Sequence, residues 1–86
     1  MTRAEVGDLL ARIDIAGLVR EEVTLTDEGR SLRGTCPGCG ERSFHVIPKA
    51  RVYHCFGCGQ GGDAIGWVRW RRGVDFAAAA DLLGAR

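Results

Sequence analysis

Apolar residues recur at helical spacing near both ends of the chain and alternate with polar ones in between. Val6, Leu9, Leu10 and Ile13 fall three to four residues apart, the spacing of one helix face. Ahead of them, Thr2-Arg3-Ala4-Glu5 has the form of a capping box. Together they predict a helix over 3–12. Asp14 is placed to cap a further turn or two through Leu18 and Val19, so helix is expected over about 3–19. The period then shortens. Val23 and Leu25 alternate with polar neighbours, which predicts a strand from Arg20 to Leu25. Thr26-Asp27-Glu28-Gly29 reads as a turn and Ser31 to Thr35 as the returning strand. Phe44, Val46 and Ile47 predict a third strand, Pro48-Lys49-Ala50 its turn, and Arg51 to Cys55 a fourth. In the fourth strand Val52 and His54 share one face, and Arg51 and Tyr53 the other. Gly57, Gly59, Gly61 and Gly62 read as a flexible exit. Asp63 is placed to cap a helix over 63–72 that carries Ile65, Trp67, Val68 and Trp70 and stops at Gly73. Asp75 opens a last helix over 75–83, with Phe76, Ala79, Ala80 and Leu83 on one stripe. The expected fold class is α+β: an antiparallel sheet over about 20–60 flanked by short N- and C-terminal helices, in one domain spanning 1–86.

A chain of 86 residues buries a limited core, so an additional source of folding energy is expected. The cysteines supply it. They fall in two pairs, Cys36-Pro37-Gly38-Cys39-Gly40 and Cys55-Phe56-Gly57-Cys58-Gly59, with fifteen residues between Cys39 and Cys55. Two Cys-x-x-Cys turns at that distance read as one tetrahedral Zn²⁺ site with Cys36, Cys39, Cys55 and Cys58 as ligands. Gly40 and Gly59 follow the second cysteine of each pair, where a positive φ is often required. Each pair is fed by an expected strand, as in a zinc ribbon. Four thiolates close the coordination sphere, whereas catalytic zinc keeps one position open. The metal is therefore expected to be structural. Iron in a four-sulfur site is the competing reading, because cysteine spacing does not choose the metal. Redox use of Cys36-Pro37-Gly38-Cys39 is disfavoured, since no helix follows it to lower a thiol pKa. The first thirty residues carry no signal-peptide pattern, so disulfides are not expected and a reducing cytoplasm is. No apolar run is long enough to span a bilayer. The His-x-Glu and Pro-Cys-x-x-Cys signature of a nucleobase deaminase is absent. No nucleophile–base pair or carboxylate cluster suggests an independent enzyme.

Charge changes the picture further. The net charge of +1 hides −4 over residues 1–29, +6 over 30–72 and −1 over 73–86. The basic segment is the metal-bearing one. Single-strand binders combine basic grooves with aromatic platforms. Arg30, Arg33, Arg42, Lys49 and Arg51, with Tyr53 and His54 beside them, are the candidate nucleic-acid contacts. The plainer reading is that these cations offset the charge of a dianionic metal–thiolate centre. Phe44, Phe56, Trp67 and Phe76 are expected in the core. Tyr53, on an amphipathic strand, reads equally as core and as platform. Trp70 with Arg69, Arg71 and Arg72 reads either as a docking face or as a solvated helix surface.

Residues 53–67, Tyr-His-Cys-Phe-Gly-Cys-Gly-Gln-Gly-Gly-Asp-Ala-Ile-Gly-Trp, resemble the signature of the zinc-binding domain of bacterial DnaG-type primases. Arg12-Ile13-Asp14-Ile15, Cys36-Pro37, Ser43-Phe44-His45-Val46, Gly73 and Phe76 extend the resemblance over nearly the whole chain. The family usually has His as its second metal ligand, where this chain has Cys39. A tetrahedral site accepts either. Four-cysteine versions occur in phage-type primases, which the chain also resembles, so a phage or mobile-element branch is the expected origin. The resemblance implies a non-catalytic module that binds single-stranded template DNA and supports primer initiation. Its implied partners are the template, a primase polymerase domain or the replicative helicase, and no membrane. The alternative is a zinc-stabilised protein-interaction adaptor of a replication complex that does not itself bind DNA.

Overall fold

In the computed structural model, which describes residues 2–85, helix α1 runs over Arg3–Arg12. The expected capping box forms. Thr2 Oγ1 accepts from the Glu5 amide at 3.2 Å, and Glu5 Oε1 accepts from the Thr2 amide at 3.4 Å. Helix α2 follows over Ile15–Arg20, but Asp14 at its N-cap makes no side-chain cap bond, contrary to expectation. The strand expected from Arg20 to Leu25 is also absent. The chain keeps turning after α2, with the Glu22 and Val23 amides both reaching the Val19 carbonyl at 3.0 and 2.9 Å. Val23 is buried at this helix end, so its apolar character reflects a turn folded inward rather than strand alternation.

Pairing begins later, at β1 (Thr26–Asp27), in residues expected to be a turn. It continues through β2 (Leu32–Gly34), β3 (Phe44–Ile47), a 3₁₀ turn at Pro48–Ala50, β4 (Val52–Cys55) and β5 (Gly61–Gly62). The sheet has the order β1-β2-β3-β4-β5 with every pair antiparallel. The supposed flexible glycine exit is thus an edge strand, with Gly62 opposite Tyr53 and Gly61 opposite His54. Helices α3 (Ala64–Arg72) and α4 (Phe76–Gly84) close the chain. Their caps are those read from the sequence: Asp63 accepts from the Gly66 amide and Asp75 from the Ala78 amide, both at 2.9 Å.

Strand alternation gives the sheet two unlike faces. Leu32, Phe44, Val46, Tyr53 and Cys55 are buried together with Leu9, Val19, Trp67 and Leu83 from the helices. Phe44 meets Tyr53 and Trp67 at ring-centroid distances of 5.8 Å each. The other face carries Arg33, His45 and His54, side by side on β2, β3 and β4 and all half-exposed. Two of the four aromatics expected in the core are not there: Phe56 is 69% exposed, and Phe76 sits on the outer side of α4. Among the described residues no helix is long and apolar enough to cross a membrane.

Candidate metal centre and nucleic-acid face

The two knuckles bring all four sulfurs within 4.8 Å of one another. A tetrahedron with Zn–S bonds of about 2.3 Å has S···S edges of roughly 3.8 Å. The Cys39–Cys55 and Cys36–Cys58 sulfurs lie 3.5 and 3.9 Å apart, on either side of that value. Donor number, donor type and spacing therefore fit one closed, structural Zn²⁺ site. Cys36 and Cys55 are buried under the sheet, and Cys39 and Cys58 stand at the surface.

The knuckles are built alike. The Gly40 amide reaches the Cys36 carbonyl at 2.9 Å, and the Gly59 amide reaches the Cys55 carbonyl at 2.8 Å. The Cys36 amide reaches the Glu41 carbonyl and the Cys55 amide the Gln60 carbonyl, both at 2.8 Å. Gly40 and Gly59 have φ of 79° and 80°, which confirms why glycine follows each pair. The Gly38 amide points at Cys36 Sγ from 3.4 Å. The Phe56 amide bonds to the Ser43 carbonyl at 2.9 Å and ties the second knuckle to the strand leaving the first.

Three of the four thiols are shifted from the ordinary value, and not in the same direction. Around Cys39 the Glu41 amide favours the thiolate, but burial and the three other thiols outweigh it and push the thiol up to about 12. Around Cys58 the Gln60 amide also favours the thiolate; burial and the thiols of Cys55 and Cys36 again prevail and raise it. At Cys55 burial opposes ionisation, yet the amides of Cys58 and Gly57 and the neighbouring thiols win and bring it down to about 7. One sulfur thus carries the negative charge easily, and its neighbours resist a second. A divalent ion removes the conflict.

Trp70 connects this centre to the core. Its ring stacks on Tyr53 at 6.0 Å and 7°, and a Cβ at Gly38 would lie 2.8 Å from it. Arg71 caps the same ring at 5.1 Å and pairs with Glu22 at 3.4 Å. Arg71 is therefore committed to packing, while Arg69 and Arg72 are exposed.

The candidate nucleic-acid residues separate into three sets. Arg33 and Arg42 lie at the knuckle end of the sheet, where Arg33 Nε donates to the Arg42 carbonyl at 2.7 Å and Arg33 pairs with Glu28 at 3.7 Å. His54 lies in the same cross-strand row as Arg33, with His45 between them. Arg30, Lys49 and Arg51 are exposed at the opposite end of the strands. There Arg30 and Lys49 flank a surface depression of about 580 Å³ that Ile47 and Pro48 also line. Arg51 holds a left-handed backbone at φ 57°, unusual for a residue with a side chain, and its amide bonds to Pro48. Tyr53 forms the third set alone. It is 1% exposed, stacked inside the core, and open to no base. Burial raises its phenol pKa. Gln60 is near enough to favour the phenolate slightly, but no hydrogen bond of good geometry reaches the hydroxyl. The parity of a known ligand signalled this placement: Cys55 must point at the metal beneath the sheet, and Tyr53, two residues earlier, shares its face. Two open-face residues were missed, His45 and Phe56. His45 is paired with His54 across β3 and β4.

Comparison with known proteins follows the same lines. All of residues 1–86 match the CHC2 zinc finger family. The DNA primase of Thermotoga maritima is 37% identical over 86 residues, which span 98% of this chain and 15% of that protein. The DNA primase of Geobacillus stearothermophilus is 41% identical over 76 residues, spanning 86% of this chain and 13% of that protein. In three dimensions the chain superposes on the Aquifex aeolicus primase, a structure of zinc-binding and RNA polymerase domains. The TM-score is 0.89 at 34% identity, covering 100% of this chain and 22% of that one. Where the family name denotes His as one ligand, this chain supplies a fourth sulfur from Cys39.

Proposed function

This chain belongs to the CHC2 zinc finger family of DnaG-type DNA primases, and from that premise we propose that it reads single-stranded template DNA and supports primer initiation. The observation that carries the proposal is the one-sidedness of the sheet. The helices and core occupy one face, and the other presents Arg33, His45 and His54 in a row with Arg42 alongside. A rigid, cationic surface with aromatic rings suits a strand whose phosphates and bases are both accessible. Arg30, Lys49 and Arg51 extend the cationic surface to the far end of the sheet and would contact the strand's continuing backbone.

In this reading the module performs no chemistry of its own. Among the described residues the one cluster able to hold a metal is the closed set of four cysteines, which offers no open coordination position. Ribonucleotide joining falls to a separate polymerase domain, and that domain or the replicative helicase is the protein partner. The support for this division is that the Aquifex aeolicus structure is one of distinct zinc-binding and RNA polymerase domains, of which this chain covers 22%.

Titration with single-stranded oligonucleotides at two salt concentrations tests the proposal. Binding should weaken as salt rises, by about 0.7 in the log–log slope for each phosphate neutralised. No binding at low salt would remove template reading and leave the protein-interaction adaptor.

A further inference from the structure

Phe56 is the most exposed large apolar side chain described, 69% open to solvent. A single exposed apolar residue is common and by itself implies nothing. Its surroundings are less ordinary. Phe56 is the residue after Cys55, on the outward side of the second knuckle, and its amide is fixed to the Ser43 carbonyl at 2.9 Å. The metal site and this bond hold its backbone firmly. Its ring lies against the open face of the sheet, 5.4 Å from His45 at 73° and 4.6 Å from His54 at 67°. Neither imidazole is parallel to it. Neither histidine is therefore stacked on the ring, although both are in contact with it. Arg33 is the next residue in the same cross-strand row, and its side chain reaches the Arg42 carbonyl. An exposed aromatic ring and the Arg33 guanidinium, which also pairs with Glu28 at 3.7 Å, are thus grouped at one end of the sheet, with Arg42 next along the chain from the knuckle.

We propose that Phe56 is the base-stacking residue of this module, its exposed ring placed against His45 and His54 so that a nucleobase of single-stranded DNA can stack on it. The inference rests on the template-binding reading and adds to it the point at which a base, rather than a phosphate, is held. Pre-positioning explains why such a site would favour a single strand. The ring is already ordered, so stacking costs little further side-chain entropy, while a base paired within a duplex would first have to leave its partner. Because every base has a π-face, the contact is sequence-tolerant. The phosphates on either side would be met by Arg33 and Arg42.

The test uses the zinc-loaded chain and a short single-stranded oligonucleotide, with Phe56→Leu and Phe56→Trp compared with the parent. Leu retains apolar bulk but has no π-face; Trp retains the face. Unchanged metal content and far-ultraviolet circular dichroism would show that each variant is folded. We expect Phe56→Leu to weaken binding roughly 5- to 150-fold, the range that stacking of one base gives, and Phe56→Trp to bind as well as the parent. The salt slope should be the same in all three, since no charge is changed. If Phe56→Leu binds within twofold of the parent while Arg33→Ala binds weakly, the stacking role is wrong and template binding stands. If the parent binds no oligonucleotide at low salt, both fail.

Discussion

The two faces of one sheet carry the same residue types for opposite ends. Phe44 and Tyr53 on the covered face are packed against Trp67 and Trp70 and hold the fold together. Phe56 and the two half-exposed histidines beside it, reached by the same strands, meet one another on the open face. A difference of one position along the chain, from Cys55 to Phe56, separates a metal ligand from a surface ring. The comparison teaches that aromaticity says little about role in a domain this small. Parity relative to the metal ligands decides it.

Removing the metal should erase the difference between the faces altogether. Structural zinc contributes roughly 10–16 kcal/mol of apparent binding free energy in small zinc peptides, more than a domain of this size holds in reserve. A strong chelator is expected to release one Zn²⁺ per chain and to abolish the near-ultraviolet circular dichroism of the packed aromatics. Acid should do the same. Metal binding requires thiolates, so protons compete increasingly as pH falls, and metal affinity is present at neutral pH and lost on acidification. Metal analysis after dialysis at stepped pH measures this.

Substitution within the faces sharpens the contrast. Phe44→Ala is expected to destabilise by about 3–5 kcal/mol, the cost of emptying a core aromatic site, in denaturant titration of the zinc-loaded protein. Phe56→Ala should change stability by only about 0.5 kcal/mol, as surface changes do. Equal losses at the two positions would break the comparison.

Arginines give small effects and the finest distinction. Arg33→Ala should cost about 1 kcal/mol or less of stability, since its ion pair with Glu28 is exposed, while reducing oligonucleotide affinity and flattening its salt dependence by about 0.7. Arg71→Ala should show the reverse. Its guanidinium lies over Trp70 and against Glu22, so binding stays as it was and stability falls slightly.

Much of this was legible in the sequence. The metal ligands, the glycines after them, the capping residues Thr2, Asp63 and Asp75, and the α+β arrangement each follow from a local rule that the structure obeys. What was not legible depended on neighbours. Gly61 and Gly62 have no side chains from which to read a period, and they become a strand only because the edge of β4 offers Tyr53 and His54 as partners. Val23 and Leu25 imitate strand alternation, but the turns after α2 bury Val23 without any pairing. The fourth strand has one aromatic or aliphatic residue on each face, so alternation alone could not say whether Tyr53 points inward; the metal does. Hydrophobicity places Phe56 in the core, whereas the structure leaves it 69% exposed on the second knuckle.

The claim that one face of a zinc-held sheet receives the template is tested most directly by amide chemical-shift mapping. Isotope-labelled, zinc-loaded protein would be titrated with a single-stranded oligonucleotide. The account predicts that perturbations gather on Arg33, Arg42, His45, His54 and Phe56 and leave the outer surfaces of α3 and α4 unmoved. Perturbations centred on Arg69, Arg72 and Leu82 with the sheet face silent would contradict it.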